Sequence, residues 1–341
     1  MIRFYVKKYF LTFFIISLIV AFIVGNRGAT RDTEVCYSVF KNIKNLNLLN
    51  AFKFYIVTGM EIGFGWYSFV VSLFTNSNFI LFFSFSFLNF YIVYKISEKI
   101  TTKYVFVILL YLSYGYFFFQ HFMQMRQGLA IPLTLLAVTL LIESNCISFK
   151  NLFAVSFHQV ALPIILMGVV SRLTFTKERK ISINKFRVLC VIGLVMFVLI
   201  SKVFLSSILK NLSSRVETYS KSAENAAELG LFRLPNIKTF LTYLFILFFM
   251  NEKVYQNKLF VVLFVLFALE LAFRIGFSDF AILSGRFATS FSFTEIFLLP
   301  FIFNRFKQGK IMIGLFIVAQ TIAAYVYQAP LIIKDYFKPS N

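Results

Sequence analysis

FRVLCVIGLVMFVLISKVFL, Phe186–Leu205, is an almost unbroken apolar run. A helix of about 20 such residues is what a hydrocarbon layer of about 30 Å demands, because backbone N–H and C=O groups must pair within the segment once water is gone. Tyr9–Gly25, Phe79–Ile96, Tyr104–Phe119, Leu129–Ile142, Leu259–Phe273, Phe287–Phe303 and Ile311–Tyr327 read the same way. Leu152–Val170 and Thr239–Met250 are weaker segments, and Ile62–Phe74 either spans or lies in the interface. The reading is an all-α, polytopic transmembrane helical bundle of about ten or eleven membrane segments, one of them re-entrant or interfacial. It forms a single integral membrane domain over residues 1–341.

Composition agrees. Of the 341 residues, 59% are hydrophobic and 14% charged, and mean hydropathy is +0.80. A soluble domain carries about 25% charged residues, so that class is excluded. The net charge of +20 suggests a nucleic-acid partner until its placement is considered. Lys and Arg fall mainly between the apolar runs, where they orient the chain in lipid, and no nucleic acid is expected. Cys36, Cys146 and Cys190 are far apart and form no ligand spacing, which argues against structural zinc and a disulfide framework. Tyr9–Gly25 follows Arg3, Lys7 and Lys8 without a small-residue cleavage site, and reads as a retained signal anchor.

Charge also sets topology. Residues 172–187 hold Arg172, Lys177, Arg179, Lys180, Lys185 and Arg187 against Glu178, and read as a basic cytoplasmic loop. Counting crossings from there puts 206–238 outside as a large loop, and 26–61 outside as another. The middle of 206–238, about Ile208 to Leu229, has helix-compatible spacing. If Leu152–Val170 is bent and re-entrant and Ile62–Phe74 interfacial, every strongly basic loop lands inside and Arg126 reaches the outer face.

Ionisable residues at membrane depth cost a few kcal/mol, so each needs a partner, a wet cavity or a ligand. Arg126 opens a segment in "HFMQMRQGLAIPL" just after His121, and Gly128, Ala130 and Pro132 keep that helix slim. It is either a snorkelling cation or a ligand for an anion. His158, in "FAVSFHQVALPIIL", is one of two histidines, and is either a satisfied core residue or a general base. Arg286 begins "GRFATSFSF". Glu270 and Arg274, spaced i,i+4, suit a structural ion pair. Asp32 and Glu61 flank the first outer loop as bases, sugar-binding carboxylates or loop-ordering acceptors. Arg215 lies in the large outer loop. Arg126, Arg286, Arg274 and Arg215 make a pool of guanidinium forks suited to a diphosphate, so the implied ligand is anionic and lipid-borne.

These stretches resemble the EpsG-like branch of the Wzy-type polysaccharide polymerases. The likeness rests on "TRDTEVCYSVF" (Thr30–Phe40) and "EIGFGWYSFVVSLF" (Glu61–Phe74), then on "MRQGLAIPLTLLA" (Met125–Ala137) with "FAVSFHQVALPIIL" (Phe153–Leu166), and last on "GRFATSFSF" (Gly285–Phe293). It runs nearly end to end, and the Arg-Gln-Gly-Leu-Ala and Phe-His pair is its most specific part. The outer loop around Arg215 shows no matching motif.

The resemblance implies a multi-pass protein of the bacterial inner membrane that polymerises undecaprenyl-diphosphate-linked oligosaccharide repeat units at the outer face. The product would be an O-antigen, capsule or exopolysaccharide. Arg126 and His158 would be catalytic, Arg126 and Arg286 would grip the diphosphate, and Asp32 and Glu61 would position sugars. No metal or cofactor is implied. Partners would be membrane lipids and the pathway's flippase and chain-length regulator. A flippase, a glycan ligase and a sugar O-acyltransferase are the alternatives.

Overall fold

The computed structural model describes residues 8–30, 33–100, 104–144, 149–175, 181–205, 232–278 and 281–338. Every regular element among them is a helix. Five are long and apolar enough to cross a membrane: Asn78–Ile100, Met125–Glu143, Ile183–Val203, Lys258–Gly276 and Gly309–Ile332. Two further candidates are pairs bent at a short break, Ala51–Thr58 with Ile62–Ser72 (86°) and Val105–Ser113 with Gly115–Met123 (79°). Phe10–Gly25, Ala161–Thr174 and Leu234–Phe249 are shorter apolar helices. The fold is the expected all-α membrane bundle.

The breaks have local causes. Tyr104–Phe119 reads as one span, but Tyr114 is extended (φ −94, ψ 145) and the chain turns there. Gly115 leaves room for the Gln328 side chain, whose amide end occupies the space that a Cβ at that position would need. Leu152–Val170 divides into helices Phe149–Phe157 and Ala161–Phe175, with His158 in the gap. Ala51–Thr58 ends on Gly59 at φ 66, a left-handed cap that glycine adopts without a Cβ penalty.

The chain packs as two compact units, Met1–Ile165 with Lys307–Asn341, and Leu166–Phe306. In the first, Met125–Ser144 is central, with 72% of its apolar window buried, and packs against Asn78–Ile100 and Phe149–Phe157. Pro132 lies inside it and has no N–H for the Gly128 carbonyl four residues back. The Asn89 side chain donates to that carbonyl instead, at 2.9 Å. His121 is fully buried, with Ser86 Oγ at 2.9 Å from Nδ1 and the Tyr111 hydroxyl at 2.8 Å from Nε2. It is a satisfied core histidine. The C-terminal segment returns to the end of Lys8–Gly25, where the amides of Gly28 and Ala29 donate to the carbonyls of Tyr336 and Lys338. Beyond the last span, Lys338 beside Asp335 holds its carboxyl below the usual carboxylate range.

In the second unit Lys258–Gly276 is central, also 72% buried, and packs against Ile183–Ile200, Leu234–Phe249, Ala281–Ser292 and Glu295–Phe303. Arg187 caps the end of Leu234–Phe249 by donating to the carbonyls of Leu247, Phe248 and Met250. A guanidinium at a helix C-terminus satisfies orphan carbonyls and opposes the dipole. By contrast Ile183–Val203 buries only 11% of its window, and Val188, Val191, Val195 and Leu199 are exposed. Such a face suits hydrocarbon rather than water.

Candidate functional site

Three charged or titratable groups meet in the first unit. Gly63 begins the arrangement. A Cβ there would fall 2.6 Å from Ser156 Oγ and 2.7 Å from the Ser156 carbonyl group, so glycine alone lets Ile62–Ser72 lie directly on the backbone of Phe149–Phe157. Glu61 sits at the N-cap position of the first helix, and His158 follows the last residue of the second. Close approach of the helices therefore brings the two side chains together, with His158 Nε2 at 4.0 Å from Glu61 Oε1.

Arg126, the second residue of Met125–Ser144, completes the cluster. Its Nη1 donates to Glu61 Oε2 at 2.6 Å and to the Gly59 carbonyl at 3.2 Å. The left-handed turn at Gly59 aims that carbonyl, and Gly128 lets the start of the arginine's helix approach the Gln120 backbone, 2.5 Å from a Cβ placed there. The side chains of Arg126, His158 and Glu61 are 23%, 23% and 15% exposed. They are sheltered yet reachable. The His158 ring is fixed at its other side, where Nδ1 accepts the Val160 N–H at 3.1 Å, just ahead of the next helix.

The first unit also holds a groove of about 430 Å³, lined by Glu34, Ser38, Asn42 and Thr58 together with Val35 and Val57. Thr58, one of its lining residues, directly precedes Gly59, whose carbonyl accepts from Arg126. Carboxylate, hydroxyl and amide groups set among apolar side chains are the chemistry that binds sugar hydroxyls and ring faces. Among the described residues no three His, Cys, Asp or Glu side chains gather as a metal site.

The structure thus brings Arg126, Glu61 and His158 together. Arg274 lies in the second unit, its Nε 2.9 Å from Glu270 Oε1, where Thr239 also donates at 3.2 Å. The i,i+4 pair has the geometry of a structural ion pair. Asp32, Arg215 with its helix-compatible stretch, and the Arg286 side chain lie outside the described residues. Sequence reasoning misses Arg27, buried over the Phe82 ring at 3.5 Å and donating to the His121 carbonyl at 2.6 Å. In sequence it passes for a loop charge, and its neighbours give no sign that it turns inward. Lys238 and the fully buried Glu295 form a further pair that sequence reasoning misses. A lone acid within the apolar run Phe287–Phe303 is the available signal.

The EpsG family model matches residues 10–339 of the chain. This protein belongs to the EpsG family. Among curated proteins and among solved structures, nothing matches it. EpsG is a Wzy-like polymerase family, so this EpsG chain is a multi-pass, membrane polysaccharide polymerase-like protein.

Proposed function

We propose that this EpsG-family protein polymerises oligosaccharide repeat units carried on a polyprenyl diphosphate, at the outer face of a bacterial inner membrane. The Arg126–Glu61–His158 cluster carries the reading. Arg126 spends one nitrogen, Nη1, on both protein contacts. The rest of its fork is left for phosphate oxygens, and bidentate charge-assisted hydrogen bonds are what guanidinium does best.

In the reaction a hydroxyl oxygen of the acceptor sugar bonds to the anomeric carbon of the donor. The bond from that carbon to the diphosphate oxygen breaks, and its electron pair leaves with the polyprenyl diphosphate. Arg126 stabilises that charge where it develops. The hydroxyl proton passes to the Glu61–His158 pair. The groove lined by Thr58 holds sugars, and Asp32 helps order that loop. A second reading, transport of the same lipid-linked glycan, draws on the two bent helix pairs, since discontinuous helices line binding sites in transporters.

The test is deletion of the gene in its host, followed by gel and mass-spectrometric profiling of surface and lipid-linked glycans. Single repeat units in place of polymer, restored by wild type but not by well-expressed Arg126→Ala, are the expected result. Unchanged polymer length would end the polymerase reading. Units trapped on the cytoplasmic side would favour transport instead.

A further inference from the structure

Resting on the polymerase reading, we infer that Glu61 takes the acceptor's proton, that His158 positions it, and that the donor's diphosphate exposes it by drawing Arg126 away. The ring's tautomer makes the first argument. Nδ1 accepts the Val160 N–H at 3.1 Å, so its lone pair is engaged with the backbone. A neutral imidazole has one N–H, which must then lie on Nε2. Nε2 is the nitrogen that faces Glu61 Oε1 at 4.0 Å. A nitrogen already carrying a proton cannot take another, so toward Glu61 this imidazole is a donor. At 4.0 Å the ring stands beside the carboxylate and limits where it can turn.

Glu61 is the acceptor in the cluster. Each carboxylate oxygen faces a donor, Oε2 the Arg126 guanidinium at 2.6 Å and Oε1 the imidazole. An oxygen whose lone pair holds a guanidinium N–H has that lone pair occupied, and it is open to another donor once the guanidinium moves. A diphosphate carries more charge than a carboxylate, so a donor first held by the rest of the fork then competes with Glu61 for Nη1 as well. As Arg126 turns from Oε2 to the phosphate oxygens, Oε2 gains a free lone pair. Proton acceptance is thereby tied to donor binding. An empty site keeps its base masked by Arg126, which limits wasteful hydrolysis of the lipid-linked sugar. Glu61 does not cap its own helix with its side chain, so no structural hydrogen bond of that kind has to break.

The experiment uses full-length protein in lipid nanodiscs, with lipid-linked repeat units extracted from the deletion strain as substrate and undecaprenyl diphosphate as the binding probe. Trp66, the only tryptophan, lies in the helix that Glu61 opens and reports binding by its fluorescence. Glu61→Gln should bind undecaprenyl diphosphate as tightly as wild type or a few-fold tighter, while its polymerisation rate falls by about a hundredfold or more. Glu61→Asp should recover part of that rate. His158→Gln, whose amide N–H can replace the Nε2 donor, should keep kcat within about tenfold of wild type and retain the acid limb of the kcat–pH profile. His158→Ala should lower kcat further while leaving KM nearly unchanged.

Polymerisation by Glu61→Gln at the wild-type rate would overturn the inference. So would loss of the acid limb in His158→Gln, or weaker diphosphate binding by a folded Glu61→Gln. Wild-type protein that makes no polymer from these units would instead bring down the polymerase reading itself, and the inference with it.

Discussion

Gly63 has no side chain, yet it decides whether Glu61 meets His158. A Cβ placed there would meet the main-chain and hydroxyl atoms of Ser156, which cannot swing aside as a long side chain would. Gly63→Val should therefore separate the two helices and lower polymer formation at least tenfold in the complementation assay, at near-normal membrane levels. Polymer restored to wild-type length by that variant would contradict the packing account. Arg126→Lys is a second test at this scale. Lysine keeps the charge but loses the planar fork, so diphosphate affinity read by Trp66 fluorescence should weaken by about tenfold (about 1.4 kcal/mol) rather than persist. The sequence already marks Arg126, Glu61 and His158, because ionisable groups among apolar residues are conspicuous. It could not show that one carboxylate oxygen takes the arginine while the other faces the imidazole.

A carbonyl freed inside a helix by proline stays paired where a side chain can reach it. Asn89 and Pro132 are a case that can be measured. Asn89→Ala leaves the buried Gly128 carbonyl without its donor, and should destabilise the protein by about 1–3 kcal/mol in thermal or denaturant unfolding in detergent. Pro132→Ala returns an N–H to that carbonyl, so the same Asn89→Ala change should cost less than half as much in its background. Equal costs in both backgrounds would show that Asn89 does not serve the proline. The break near Tyr114 is invisible in the apolar run Tyr104–Phe119, because Gln328, whose side chain fills the space at Gly115, lies more than two hundred positions along the chain. The break at His158 is more legible, since polar residues and Pro163 interrupt a short apolar run.

For the whole molecule, lipid is the solvent that makes sense of its surface. Val188, Val191, Val195 and Leu199 stand exposed along one span, and Ile311, Leu315, Val318 and Ile322 along another. Val195→Arg, near the middle of its span, should raise the apparent insertion free energy by about 2.5–3.5 kcal/mol in a translocon assay, whereas Val195→Leu should leave it unchanged. An arginine tolerated there without loss would mean that this face does not meet hydrocarbon. Membrane embedding could be read from residues 1–341 directly, because hydrophobicity and span length are properties of each segment by itself. Which charges meet is another matter. Arg126 and Glu61 stand 65 positions apart, and Lys238 and Glu295 57 apart. The first meeting depends on glycine-permitted helix contacts, and both on packing that only the folded chain supplies. Arg27 shows the same limit, since a loop arginine turns inward once the Phe82 ring and the His121 carbonyl are there to receive it.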